Sequence, residues 1–293
     1  MKKLSLLAAF VAGLVITGCS HEEPEVTNIN PETETPSWDK DTITISFSRP
    51  YSHEAMKSRR TTRAATSIAS ICTHLDVWIS DGTTTTDYHQ TNADAGFGTI
   101  TAVLDKTKTY TIQAVAHKCD GNATLTDGVI SFPDDKVTHS MVYSNTFTPS
   151  TTTSLSAEMT RIVSVFKLET TDAIPDEAKK MRFTITDVYN RWNFSTGATN
   201  KLDRTSEITI SSKNANGTAS FSVYAIATDA ETTHTVIVSA LDADNQPLQT
   251  RTFTDVTLRN GYRTTYRGSF FIDTPFTSTF TVADWSEYDT VDF

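Results

Sequence analysis

Apolar and polar residues alternate along most of this chain, and a side-chain period of two fits strands that bury one face. In TITISFSRP (42–50), Ile43, Ile45 and Phe47 alternate with Thr44, Ser46 and Ser48. LDVWIS (75–80) repeats the pattern through Leu75, Val77 and Ile79, and GTITAVLD (98–105) and TYTIQAVAH (109–117) continue it. After a Thr/Ser-rich stretch, FTPSTTTS (147–154), a second series begins. It comprises 161–169, 181–189, 206–212, 219–227, 233–242, 249–258, 262–272 and 276–285. Asn216-Gly217 and Asn260-Gly261 stand where type I′ hairpin turns would join neighbouring runs. PDEAKK (175–180) is the helix-like candidate and is short enough to be a turn. The expectation is an all-β chain of two sandwich domains in series, broken near 155–160, with 42–157 and 158–293 as the two units.

The front end has a different logic. Lys2 and Lys3 precede an apolar run from Leu4 to Ile16, shorter than the roughly 20 residues that a membrane span needs. That is the build of a secretory signal peptide over 1–18. Its end, GLVITGCS (13–20), resembles the lipobox of bacterial lipoproteins. The resemblance implies that Cys19 becomes the lipidated first residue, its acyl chains, palmitate among them, holding the protein on the outer membrane. Residues 19–41 are rich in Pro and Glu, with Val26, Ile29 and Trp38 as their sizeable apolar residues. Such a segment serves as a flexible tether. His21-Glu22-Glu23 resembles the acidic export signal of surface lipoproteins in some anaerobic Gram-negative bacteria; a plain acidic linker is the other reading.

The formal charge of −10 disfavours nucleic acid as a partner. G-x-S-x-G, H-E-x-x-H, P-loop and G-x-G-x-x-G patterns are absent, so no catalytic or cofactor-binding residue is proposed and no enzyme is expected. Asp81-Gly82, Asp127-Gly128 and the DADN of 242–245 occupy turn positions, and Asp242 and Asp244 lack the glycine and glutamate of a calcium loop. One constellation is sharper. Cys72-Thr73-His74 mirrors His117-Lys118-Cys119; were these antiparallel neighbours with Cys72 opposite Cys119, His74 would face His117. A disulfide between Cys72 and Cys119, unlinked surface residues and a zinc site all remain open, the last disfavoured by an oxidising compartment and a wet outer face. Tyr262, Thr264 and Tyr266 on one face, and Trp78 on another, could in principle form a glycan platform, but core packing explains most of them. KSRRTTRAATS (57–67) reads as an exposed basic loop, or as a processing site for an Arg-specific protease at Arg60 or Arg63.

Taken in order, these motifs resemble the fimbrillin superfamily of pilus subunits and anchors from the Bacteroidales. The resemblance rests on the lipobox, TITISFSRP, the T-R-A-A of 62–65, LDVWISDG and YTIQAVAH. In the second half it rests on RIVSVFKLETTDAIPDEAKKMRFTIT, FSVYAIA, LRNGYRTTYRGSFF and VADW. It implies two tandem transthyretin-like β-sandwich domains, lipid anchoring, and assembly with other fimbrial subunits into a surface fibre. In polymerising members a cut after an arginine, matching Arg60 or Arg63, would release the first strand and open a groove for a neighbour's strand. Anchor members keep their lipid. A surface glycan-binding lipoprotein is the alternative function. The C-terminal run is either the last strand of the second sandwich, preferred for 276–285, or a donor strand.

Overall fold

The computed structural model describes residues 39–49, 67–273 and 275–282. Cys19, the tether up to residue 38, Arg60, Arg63 and the acidic tail from 283 lie outside the described residues. The first half carries β1 (Lys40–Ser48), β2 (His74–Ser80), β3 (Thr85–Thr91), β4 (Thr99–Asp105), β5 (Tyr110–His117), β6 (Thr124–Thr126), β7 (Val129–Ser131), β8 (Ser140–Phe147), β9 (Ser154–Glu158) and β10 (Thr160–Arg161). Eight of them form one layer in the order β4-β1-β9 and a second in the order β10-β8-β5-β2-β3, while the β6–β7 hairpin joins the sheet of the second half. Alternation dictates the packing. Ile43, Ile45 and Phe47 of β1, with Ile100, Ala102 and Leu104 of β4, share a buried cluster with Leu75, Val77 and Ile79 of β2 and Ile112, Ala114 and Ala116 of β5. The intervening Thr99, Thr101 and Val103 are exposed. The first strand starts at Lys40, inside the stretch expected to be tether.

The second half carries β11 (Val163–Thr170), β12 (Lys180–Asn193), β13 (Gly197–Thr209), β14 (Ser220–Ile226), β15 (Thr232–Leu241), β16 (Pro247–Leu258), β17 (Tyr262–Gly268) and β18 (Thr277–Val282). One strand serves both of its layers. Up to Ile185, β12 lies between β13 and β15; the register then shifts, with Asp187 at φ +60°. Past this bulge Tyr189 pairs with Ile226 of β14, and Arg191, Trp192 and Asn193 pair with β7 of the first half. A bulge bends a strand and re-aims it, which is what crossing between layers requires. Phe166, Phe183, Phe221 and Phe253 fill the core between the layers, Phe166 meeting Phe183 edge-on at 6.2 Å.

A third apolar cluster joins the halves. Trp78, Val115 and Val142, on the outer side of the first sandwich, pack with Val163, Val165, Tyr224 and Ile226. The β6–β7 hairpin adds Ile130, and the loops beside it Ala123 and Phe132. Its two-residue turn is Asp127-Gly128, both with positive φ (51° and 76°), as a type I′ turn requires. The described residues therefore belong to one compact unit rather than two sandwiches separated by water. This overturns the expectation that the face of β2 opposite Leu75 is wet, since Trp78 is only 5% exposed.

The two Asn-Gly pairs also differ from expectation. Gly217 and Gly261 have φ of +75° and +76°, but Asn216 and Asn260 are not in the left-handed region, so neither pair is a type I′ turn. Each lies between strands that do not pair with each other, β13 to β14 and β16 to β17. They are corners between layers. In the second, Tyr262 donates its amide to the Arg259 carbonyl, placing Gly261 where a type II turn needs positive φ.

Across the joint, Nε2 of His139 lies 2.7 Å from the Tyr224 hydroxyl, and both residues are buried. Burial, followed by the charges of Arg161 and Lys118, pushes the pKa of His139 down to about 3. The unfolded chain therefore binds the extra proton between that value and 6.5, and the contribution of His139 is intact above 6.5 and lost as pH falls. Denaturant titrations should show roughly 3 kcal/mol lost by pH 4, at about 1.36 kcal/mol per unit. His139→Gln, which cannot titrate, should flatten that slope; an unchanged slope would refute the assignment.

Candidate assembly site: the slot of the first strand

Strand β1 is the middle strand of its layer. It pairs antiparallel with β4 from Lys40↔Asp105 to Ser46↔Thr99, and parallel with β9 from Thr44↔Ser154 to Ser48↔Glu158. The ladders continue past the strand ends: Phe47 donates to the Gly98 carbonyl at 2.7 Å, and Met159 donates to that of Ser48 at 2.9 Å. Ile43 and Ile45 are fully buried and Phe47 is 4% exposed, its ring edge-on to Tyr143 at 6.2 Å. Thr44, Ser46 and Ser48 point away from that core. β1 thus fills a slot bounded on both sides by backbone donors and acceptors and floored by apolar side chains.

The last strand is held differently. Among the described residues β18 pairs only with β17, at the border of its layer, from Tyr262↔Val282 to Arg267↔Thr277. Its side chains are largely exposed, and its anchorage is aromatic: Phe280 stacks on Tyr262 at 4.9 Å, and Phe276 meets Phe253 edge-on at 5.0 Å. The expected last strand at 276–285 is present as Thr277–Val282.

The His/Cys constellation resolves into a structural network. β2 and β5 are antiparallel neighbours with His74 opposite His117, their rings stacked at 5.3 Å. The partner that sequence reasoning missed is Asp76, fully buried. Its carboxylate accepts from Nε2 of His117 (2.8 Å), Nδ1 of His89 (2.6 Å) and the Ala123 amide (2.9 Å), so β2, β3, β5 and the following loop are tied at one point. The amide of Cys119 donates to Nδ1 of His117, leaving Nε2 to carry the proton toward Asp76. The pKa of His74 is lowered, by burial and then by the adjacent His117.

Of the readings left open for the two cysteines, the structure shows neither a disulfide nor surface positions. Both are buried free thiols. Cys72 precedes β2 and belongs to the first core, whereas Cys119 follows β5 and lies in the joint, where its thiol donates to the Lys136 carbonyl at 3.2 Å. Both lie past the strand ends, where alternation no longer dictates a face. Burial pushes the Cys72 thiol well above its usual pKa. Among the described residues, no group of three or more His, Cys, Asp or Glu is arranged for a metal ion. The Asp242 carboxylate caps its own turn by accepting from the amides of Asp244 and Gln246.

For the aromatic residues considered as a glycan platform, core packing is what the structure shows. Thr264 is buried, Tyr266 packs against Phe253 at 4.7 Å, Tyr262 is covered by Phe280 with Arg259 beside it, and Trp78 lies in the joint. These rings are core and border packing, and they present no coplanar face to solvent.

No family model and no curated protein matches the chain. Solved structures do. A candidate polysaccharide-binding protein of Bacteroides thetaiotaomicron superposes with a TM-score of 0.52 at 8% identity, over 84% of this chain and 99% of that one. A candidate adhesin of Bacteroides ovatus gives 0.51 at 11% identity, over 82% and 95%. The fimbrial anchor protein Mfa2 of Porphyromonas gingivalis gives 0.46 at 10% identity, over 83% and 98%. The first two share the all-β fold of this chain along nearly their whole length.

If the slot holds β1 through its inward face, Ile45→Ala should lower stability by about 2–5 kcal/mol in urea titrations. Ser46→Ala, on the outward face, should stay within about 0.5 kcal/mol. Equal effects would refute the one-sided seat.

Proposed function

We propose that this protein is a structural subunit or anchor of a cell-surface fimbria, joined to neighbouring subunits by β-strand exchange, and that it catalyses no reaction. The observation carrying this reading is the placement of β1. It begins at Lys40, at the end of the stretch expected to be tether, it lies between two strands that do not pair with each other, and the basic segment holding Arg60 and Arg63 comes after it in the sequence. A cut after either arginine would detach β1 from the remainder of the fold. The slot would then offer main-chain partners on two sides and apolar pockets at alternate positions, the two components of β-strand addition. An uncut copy, tethered through lipid on Cys19 to the outer membrane, would keep its own strand and serve as the anchor. The fold shared with a candidate adhesin supports a surface role.

A second reading, a surface glycan-binding lipoprotein, draws on the name of the polysaccharide-binding candidate of the same fold. It needs a site other than the aromatic face of β17.

The test compares a chain beginning at residue 64 with one beginning at residue 20. The shorter chain should form detergent-resistant oligomers and the longer should not. A peptide of residues 40–48 in excess should suppress oligomers by refilling the slot. A shorter chain that stays folded and monomeric, binding neither peptide nor neighbour, would refute strand exchange.

A further inference from the structure

A cavity of about 500 Å³ opens beside the joint between the two sandwiches. One wall is Lys118 to Asp120, after β5, with Lys136 to Thr138; the other is β13 from Arg204 to Thr209 and β14 from Ser222 to Tyr224. Hydroxyl-bearing residues of its lining include Thr138, Ser206, Ser211 and Ser222; Thr205 and Thr209 alternate with Arg204 along β13, and the Thr205 hydroxyl bonds that of Thr184 on the other face.

The charges in this cavity do not cancel. Three cations line it, Lys118, Lys136 and Arg204, against Asp120 and Glu207. Glu207 is already engaged by Arg182 at 2.8 Å and Lys180 at 3.5 Å. Lys136 has only a loose pair with Asp134, at 3.8 Å and well exposed. Among the described residues, the Lys118 ammonium has neither a carboxylate in ion-pair range nor a hydrogen-bond acceptor. Arg204 is half-buried and faces no carboxylate; it donates from one terminal nitrogen to the Tyr224 carbonyl and from the other to that of Val137 at 3.2 Å. Those two bonds use two of the five donors of a guanidinium. Burial moves the pKa of Arg204 down to about 10, so the fold holds this charge at a desolvation penalty. In a chain of net charge −10, an unmatched pair of cations beside a hydroxyl-lined hollow is what an anionic, polyhydroxylated ligand would complement.

We propose that this cavity binds an acidic saccharide, its carboxylate held by Arg204 and Lys118 and its hydroxyls by the Ser and Thr side chains around them. The volume lies within the range of small-ligand sites. This site does not depend on the strand-exchange reading, because the slot of β1 opens into the other core.

The experiment is calorimetric titration of the purified chain with galacturonate, galactose and inorganic phosphate. Saturable galacturonate binding at least about tenfold tighter than either of the others is expected, because the site reads both charge and hydroxyls. Lys118→Gln should weaken it about tenfold, whereas Lys106→Gln, on a distant turn of the first sandwich, should not change it. Arg204→Lys tests the guanidinium fork; because Arg204 also ties Tyr224 to Val137, Lys118→Gln remains the deciding variant. Equal binding of galactose, equal binding of phosphate, no saturable binding, or an unaffected Lys118→Gln would each overturn the proposal.

Discussion

The layer β4-β1-β9 exists only because β1 is in it. Its two flanking strands run in opposite senses relative to β1, and neither pairs with the other, so main-chain hydrogen bonding across that layer passes wholly through nine residues. Backbone groups buried without partners are strongly disfavoured. An empty slot would also uncover the apolar floor against which Ile43, Ile45 and Phe47 pack. The first sandwich is therefore stable with a strand in that place and strained without one, and nothing in the hydrogen-bond pattern demands that the strand come from the same chain.

The same period-two logic that seats β1 explains what was legible in the sequence. Strands with one buried face, such as β1, β4 and β12, announce themselves through alternation. β2, β5, β11 and β14 were recognised as strands from one face alone, yet their second faces are buried in the joint, where alternation gives no warning. Trp78, Val115 and Tyr224 look like ordinary outward residues until the other sandwich covers them. β3 is polar and mostly exposed, and β9 falls where the sequence suggests a break between domains, near 155–160; both are held by main-chain pairing to stronger neighbours, a signal that composition does not carry. Asn-Gly was a sound marker of a turn but not of a hairpin, because the glycine alone supplies the positive φ that a corner between layers also needs.

The candidate sites were legible to different degrees. Facing His74 and His117 follows from strand spacing, but Asp76, two residues from His74 on the same face, is the shared acceptor that holds His117 and His89, and its spacing could have pointed to it. The cysteines were misplaced because they sit just past strand ends. The cavity beside the joint leaves no local signature at all: Lys118, Arg204 and Ser222 meet only because the β12 bulge and the β6–β7 hairpin dock one sandwich on the other.

Main-chain pairing is indifferent to sequence, so selectivity for whatever strand occupies the slot has to come from side chains on one face. The pockets of Ile43, Ile45 and Phe47 ask for three bulky apolar residues at alternate positions, while the outward positions of Thr44, Ser46 and Ser48 ask for little. The run from Phe276 to Val282 has the right period, with Phe276, Ser278, Phe280 and Val282 on one face, but places a serine between its two phenylalanines. As a native border strand it is held mainly by Tyr262 and Phe253. A strand so lightly buried gives up little apolar contact on leaving its own sheet, whereas β1 gives up a core. On the strand-exchange proposal, that asymmetry would make β18 the better donor and β1 the better seal, and β1 would have to be cleared from the slot before a more weakly held strand could compete for it.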